Sequence, residues 1–182
     1  MLRGILYVYF CLYILMYLAF VFIIGMAHTS LSVTSILVVV MPFVLLIMIQ
    51  KSIVYVSKNR NEEKKQMSRV LIVALIPLIV CTVQLGLNGY TSKFNQNRWL
   101  NHADKRVHMV DDLIQKYKLI GKSNEEITQL LGVLTETRNG EEGVIALYYL
   151  GTERGIIPID SEQLVLQFDR RGKVVEYKVH TD

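Results

Sequence analysis

From Gly4 to Gln50 the chain carries no Lys, Arg, Asp or Glu. A helix crosses a bilayer with roughly 20 apolar residues, so this run accommodates two spans. The break between them falls at Gly25-Met26-Ala27-His28-Thr29-Ser30. The pattern predicts a first span over 5–26 and a second over 31–50. A further uncharged run, Val70 to Ser92, has its apolar core at Val70–Leu87 and predicts a third span over 70–88. These three spans make residues 1–90 a transmembrane region, and 51–69 between the second and third is a polar, basic loop. Residues 91–101 then read as a polar linker, and its Trp99 fits either a membrane interface or the underside of a domain.

The period changes after residue 101. Val107, Val110, Ile114 and Tyr117 recur at steps of three and four, with Leu113 beside them, and predict an amphipathic helix of roughly 16 residues ending near Leu119-Ile120. Ser123-Asn124-Glu125-Glu126 is a capping box that opens a second, short helix. Ile127, Leu130 and Leu131 form its buried face and Gly132 stops it. Thr135 to Gly143, centred on Asn139-Gly140, reads as a polar loop. Val144–Leu150 then reads as a strand, and Ile156–Ile159, interrupted by Pro158, as an edge segment at best. Glu162–Phe168 alternates Leu164, Leu166 and Phe168 onto one face. Asp169-Arg170-Arg171-Gly172 is a hairpin turn, and Lys173–Val179 places Val175, Tyr177 and Val179 on one face. The expected fold is a membrane α-helical region of three transmembrane helices followed by a small α+β domain over 102–182. In that domain two helices lie on a three-stranded antiparallel sheet.

Charge orients this arrangement. Residues 1–92 carry seven Lys/Arg against two Asp/Glu, and residues 93–182 carry thirteen against fourteen, so the net +4 divides into +5 and −1. Lys51, Lys58, Arg60, Lys64, Lys65 and Arg69 all fall between spans two and three. The excess of basic residues places that loop in the cytoplasm. Three spans then put the N-terminus inside and the C-terminal domain outside. The composition, 52% hydrophobic with two cysteines, excludes a simple soluble enzyme, a disordered chain and a disulfide-rich scaffold. The apolar run before Ala27 is longer than the roughly 7–15 residues of a signal peptide's core, so span one is read as retained. Val80 precedes Cys81 where lipoprotein processing needs a small residue, so Cys81 is not read as lipidated.

Candidate chemistry is sparse. Cys11 and Cys81 lie within spans and read as small apolar fillers. Tyr9, Tyr13 and Tyr17 share one helix face, which reads as helix packing and an interfacial aromatic belt rather than a ligand groove. Pro42 and Pro77 fall inside spans two and three. His28, His102, His108 and His180 show no ligand spacing, so no metal is expected. Glu125-Glu126 reads as a cap and Glu141-Glu142 as part of a charged loop rather than as an acid–base pair. Gly121-Lys122-Ser123 lacks the upstream glycine of a phosphate loop, since position 116 is Lys, and Ser123 has no activating partner. No catalytic residue, cofactor or nucleic-acid partner is expected, and the partner-binding residues stay unassigned.

The stretch Leu119-Ile120-Gly121-Lys122-Ser123-Asn124-Glu125-Glu126-Ile127-Thr128-Gln129-Leu130-Leu131-Gly132 resembles the second-helix signature of the BamE/SmpA/OmlA-like domain. Tyr148–Gly151, Leu164–Asp169 and Gly172–Val174 are similar to its strands. The resemblance covers about 100–180 and none of the membrane half. It implies a two-helix, three-strand architecture, similar to β-lactamase-inhibitor-protein repeats, and an extracytoplasmic protein-binding or envelope-assembly module without catalytic residues. The expected protein is therefore a non-enzymatic, multi-pass protein of the bacterial cytoplasmic (inner) membrane. Its partners would be the lipid bilayer and another envelope or membrane protein met through a strand edge or sheet face, with Phe168 and Tyr177 as contributors to surface or core alike. The alternative is a membrane sensor or immunity-type regulator. In that case the outer domain binds a signal or toxin, and Lys58, Arg60, Lys64 and Lys65 carry the output.

Overall fold

The computed structural model describes residues 2–57, 60–139, 143–155 and 159–181, and the chain divides into two units, Met1–Gly89 and Tyr90–Asp182. In the first, three long helices share one core: α1 (Leu2–Met26), α2 (Val33–Val56) and α3 (Arg60–Thr91). All three are long and apolar enough to cross a membrane, over Leu6–Met26, Val33–Val56 and Lys64–Thr91. Their exterior is unlike that of a water-soluble bundle, being apolar as well as the core. Tyr13 and Tyr17 are sealed inside, while Leu12, Leu15, Leu18, Phe22, Ile72 and Ile76 face outward. A helix surrounded by hydrocarbon gains nothing from hiding leucine, but its polar groups must find partners within the protein.

Those partners are backbone carbonyls near the helix breaks. The Tyr17 hydroxyl donates to the Val39 carbonyl at 2.5 Å, and that of Tyr13 to the Ala74 carbonyl at 2.6 Å. Val39 and Ala74 each stand three residues before a proline, Pro42 and Pro77. A proline leaves the carbonyl four residues earlier, here of Val38 or Val73, without its helical N–H partner, and the tyrosines bond the next carbonyl along. Tyr9 donates to the carbonyl of Pro42 itself at 2.9 Å. At the other end of α1, the Asn88 amide donates to Ile24 O and Thr29 O, and the Gln84 amide to Val21 O. These bonds tie α3 to the last turns of α1 and to the turn that follows it. Gly25 leaves the room: a Cβ there would lie 3.0 Å from Nε2 of Gln84. The tyrosine face thus packs helices, as expected. The basic stretch read as a loop is largely helical, because α2 runs on to Val56 and α3 begins at Arg60.

The second unit contains α4 (Gln96–Asn101), a 3₁₀ segment (Ala103–His108), α5 (Val110–Lys116), α6 (Asn124–Leu131) and strands β1 (Glu136–Asn139), β2 (Val144–Thr152), β3 (Ser161–Phe168) and β4 (Val174–Thr181). The sheet is antiparallel throughout, in the order β1-β2-β3-β4. One core joins Trp99, Val110, Leu113, Ile127 and Leu131 of the helices to Ala146, Tyr148, Leu150, Leu164, Leu166 and Phe168 of the strands. The α6 capping box forms as the sequence implies: Ser123 N–H donates to Glu126 Oε2 at 2.8 Å, and the Ser123 hydroxyl accepts from Glu126 N–H. At the far end Gly132 takes φ = +81°, which suits glycine. Two aromatic donors secure that end, Trp99 Nε1 to Leu131 O at 3.1 Å and the Tyr148 hydroxyl to Gly132 O at 3.0 Å.

Four sequence expectations change. The sheet has four strands, not three, because Glu136–Asn139 pairs with Val144–Leu147. All four residues of β1 are exposed, so no apolar alternation marked it. The helix expected from His102 to about Leu119 is broken into the 3₁₀ segment and α5. The tight 3₁₀ turn carries Arg106 inward, where Nε donates to Trp99 O at 2.8 Å and Nη1 to Tyr149 O at 3.2 Å. The 91–101 linker contains α4, and its Trp99 is fully buried in the core of the second unit. Finally, Val175 does not pack with Tyr177 and Val179. Gln167 pairs with Glu176 and Phe168 with Val174, which leaves Val175 as the extra residue of a β-bulge. Val174 takes the buried place and Val175 is 45% exposed. The expected turn at Asn139-Gly140, the carboxylates Glu141-Glu142 and the segment at Pro158 reach residues outside the described ones.

Candidate functional site: the free edge of the sheet

A sheet of four strands has two edges, and here they differ. At the β1 edge the strand is short, and Arg138 forks onto Glu136 at 2.8 Å. The arginine holds the Glu136 carboxyl below the ordinary carboxylate range, first by hydrogen bonding and then by charge. Beyond β1 the edge of β2 is already occupied. Tyr149 N–H donates to the Thr135 hydroxyl and its carbonyl accepts from Arg106 Nη1, while on the sheet face a Cβ at Gly151 would collide with the carbonyl oxygen of Asp104. This side offers little backbone to a partner.

The β4 edge is different. Its start is taken by the chain leading into α6: Gly121 N–H donates to Val174 O at 2.8 Å, Val174 N–H to Lys122 O at 2.9 Å, and Ser123 bridges Lys173. From Val175 onward, no described strand pairs with this edge. Its register is set from the other side. Tyr177 lies opposite Leu166 and Val179 opposite Leu164, so both lean on the core, while Glu176, Lys178 and His180 alternate outward and are exposed. Phe168 is buried at the end of β3 and belongs to the core alone, whereas Tyr177 is partly buried at the rim. On the outward face, Ile145, Leu147 and Val165 form an apolar strip between Glu136/Arg138 and Glu176/Lys178. A free edge with alternating side chains is what strand addition requires.

The remaining polar groups of this unit brace the fold. Arg154 donates to both carboxylate oxygens of the buried Glu162 and to Asp111, tying the end of β2 and β3 to α5. Burial pulls the Arg154 guanidinium down, but these carboxylates outweigh it and hold it above its ordinary value. Burial lowers the value of Arg106, which sits over the Trp99 ring at 5.3 Å, and pushes the Tyr148 hydroxyl up to about 12. The structure does not gather the histidines. His28 is in the turn after α1 with φ = +47°, His102 and His108 flank the 3₁₀ segment, and His180 is on β4. Among the described residues no group of three or more His, Cys, Asp and Glu is placed to hold a metal ion. Glu125 and Glu126 serve the cap of α6. Glu125 is held low by hydrogen bonding to the Ser123 side chain, and Glu126 by the Ser123 backbone.

In the first unit the free thiols Cys11 and Cys81 are exposed and buried respectively. An apolar groove of about 700 Å³ runs between α1 and α2, past Tyr9, Met16, Met41 and Pro42. Gln50 is 2% exposed, on the same stripe of α2 as Val39, Pro42, Leu46 and Ile53, and neither amide atom has a partner among the described residues. Sequence reasoning passed over Gln50, although it ends the uncharged run. It also passed over the covering of β4 by Gly121–Ser123, which no local signal announces. Comparison with known proteins adds no relative: no family model matches the chain, and no curated protein and no solved structure matches it.

Proposed function

We propose that this chain is a non-enzymatic protein of the bacterial cytoplasmic membrane whose three spans present the second unit outside the cell's cytoplasm as a protein-binding module. Binding is by strand addition to β4, in keeping with the envelope-module role that the BamE-like motif implies. The observation that carries this reading is the edge itself, open from Val175 to Thr181 and flanked by alternating Glu176, Lys178 and His180. The excess of basic residues between α2 and α3 supports the orientation, with Lys64, Lys65 and Arg69 exposed on α3. Backbone bonds along such an edge give affinity, and the alternating side chains give selectivity.

Two measurements test it. With Cys11 and Cys81 replaced by Ser, a single Cys at Arg171 reacts with a membrane-impermeant maleimide in intact cells, while one at Asn61 reacts only after lysis. Reaction at 171 only after lysis refutes the outer placement. A photo-crosslinking residue at Lys178 in living cells gives a protein adduct, and one at Arg138 does not. Absence of an adduct at 178 refutes the edge as the binding surface.

A further inference from the structure

The open part of β4 begins with Val175-Glu176-Tyr177-Lys178-Val179. Read backwards it is the same sequence with its two charges exchanged. Two copies laid antiparallel about Tyr177 therefore match. Glu176 of each faces Lys178 of the other, and the tyrosines meet on the two-fold axis. Opposite charges directly across a strand pair stabilise it and like charges destabilise it. Centring on Glu176 instead sets Glu against Glu, centring on Lys178 sets Lys against Lys, and centring on Val179 sets Lys178 against His180 and forms no Glu–Lys pair. The length also fits: pairing cannot extend past Val175 because Val174 is already bonded to Gly121 and Lys122.

Resting on the reading that this edge binds protein, we propose that its partner is a second copy of the same chain, β4 to β4 about Tyr177, which merges two four-stranded sheets into one. The interface is isologous and closes at two copies.

The test uses the full chain in nanodiscs, with Cys11 and Cys81 replaced by Ser. Residues directly opposite lie about 4.5–5.5 Å apart between Cα atoms, within disulfide reach. Tyr177→Cys is expected to form a disulfide-linked dimer under mild oxidation. Glu176→Cys alone is not, because its symmetry mate lies on the diagonal, but mixing Glu176→Cys with Lys178→Cys gives the mixed disulfide. Charge variants, which leave the rim packing of Tyr177 intact, supply the second measurement by light scattering. Lys178→Glu or Glu176→Lys turns both cross-strand pairs repulsive and weakens dimerisation on the order of ten- to a hundredfold. The double variant E176K/K178E restores the dimer, since both pairs are attractive again. Failure of that rescue, or a wild-type chain that stays monomeric, overturns self-pairing. If the chain is monomeric while the crosslinker at 178 captures a different protein in cells, self-pairing falls and strand addition stands. If it captures nothing, both fall.

Discussion

Tyr17→Phe isolates one hydroxyl in the membrane unit. The ring stays packed, 4.6 Å from that of Tyr13 and 5.6 Å from that of Phe20. The 2.5 Å bond to Val39 O is lost, together with the hydroxyl's contact to that of Tyr13. Side-chain hydrogen bonds between membrane helices average roughly 0.6 kcal/mol and reach about 1.7. The buried position of Tyr17 places this one in the upper range, at about 1–1.5 kcal/mol. Cys81 supplies the assay: it is fully buried in the same core, and Cys11→Ser leaves it the sole thiol. Labelling of Cys81 by a thiol reagent then reports opening of the helices. Since about 1.4 kcal/mol is tenfold in an equilibrium, Tyr17→Phe is expected to accelerate labelling about five- to tenfold. No acceleration would show that the bond contributes nothing.

Gln50→Leu is expected to slow Cys81 labelling, because it removes a buried amide with no partner among the described residues and leaves an apolar side chain of similar size; faster labelling would reveal that the amide is satisfied by water or lipid in the bilayer. Gly151→Ala places a methyl group against Asp104 at φ = +122° and is expected to destabilise the second unit by at least about 2 kcal/mol, read by thermal unfolding monitored at Trp99; an unchanged midpoint refutes the close approach. Ser123→Ala should raise the Glu125 carboxyl towards its ordinary value in an NMR titration while Glu126, held first by the Ser123 backbone, stays low. Both carboxyls are depressed in the folded chain, so what they contribute is present above the unfolded carboxylate value and is lost as pH falls through the folded one. The substitution removes Glu125's part of that acid dependence.

What was legible in the sequence was what local chemistry decides. The cap at Ser123 and Glu126, the stop at Gly132 and the alternation of Leu164, Leu166 and Phe168 all form as written. So do three helices of spanning length. What was not legible depends on distant neighbours. No Gly or Pro marks the break in the helix after His102; it follows from Arg106 reaching Trp99 and Tyr149. β1 has no apolar residue and exists because β2 offers it an edge. The bulge at Val175 shifts one residue between core and solvent, a change that alternation alone cannot register. The candidate edge was visible as letters, but its extent required knowing that Gly121–Ser123 lies along the start of β4.

The brevity of β1 has a consequence for assembly. Sheets that are open on both sides can stack chain upon chain without limit, and long flat edges are how fibrils nucleate. Here one side presents four exposed polar residues, with an arginine and a glutamate clasped across them, and the backbone beyond is occupied by Thr135 and Arg106. Growth from that side has almost no template. Two copies joined β4 to β4 would leave only two such sides, so that complex is finite.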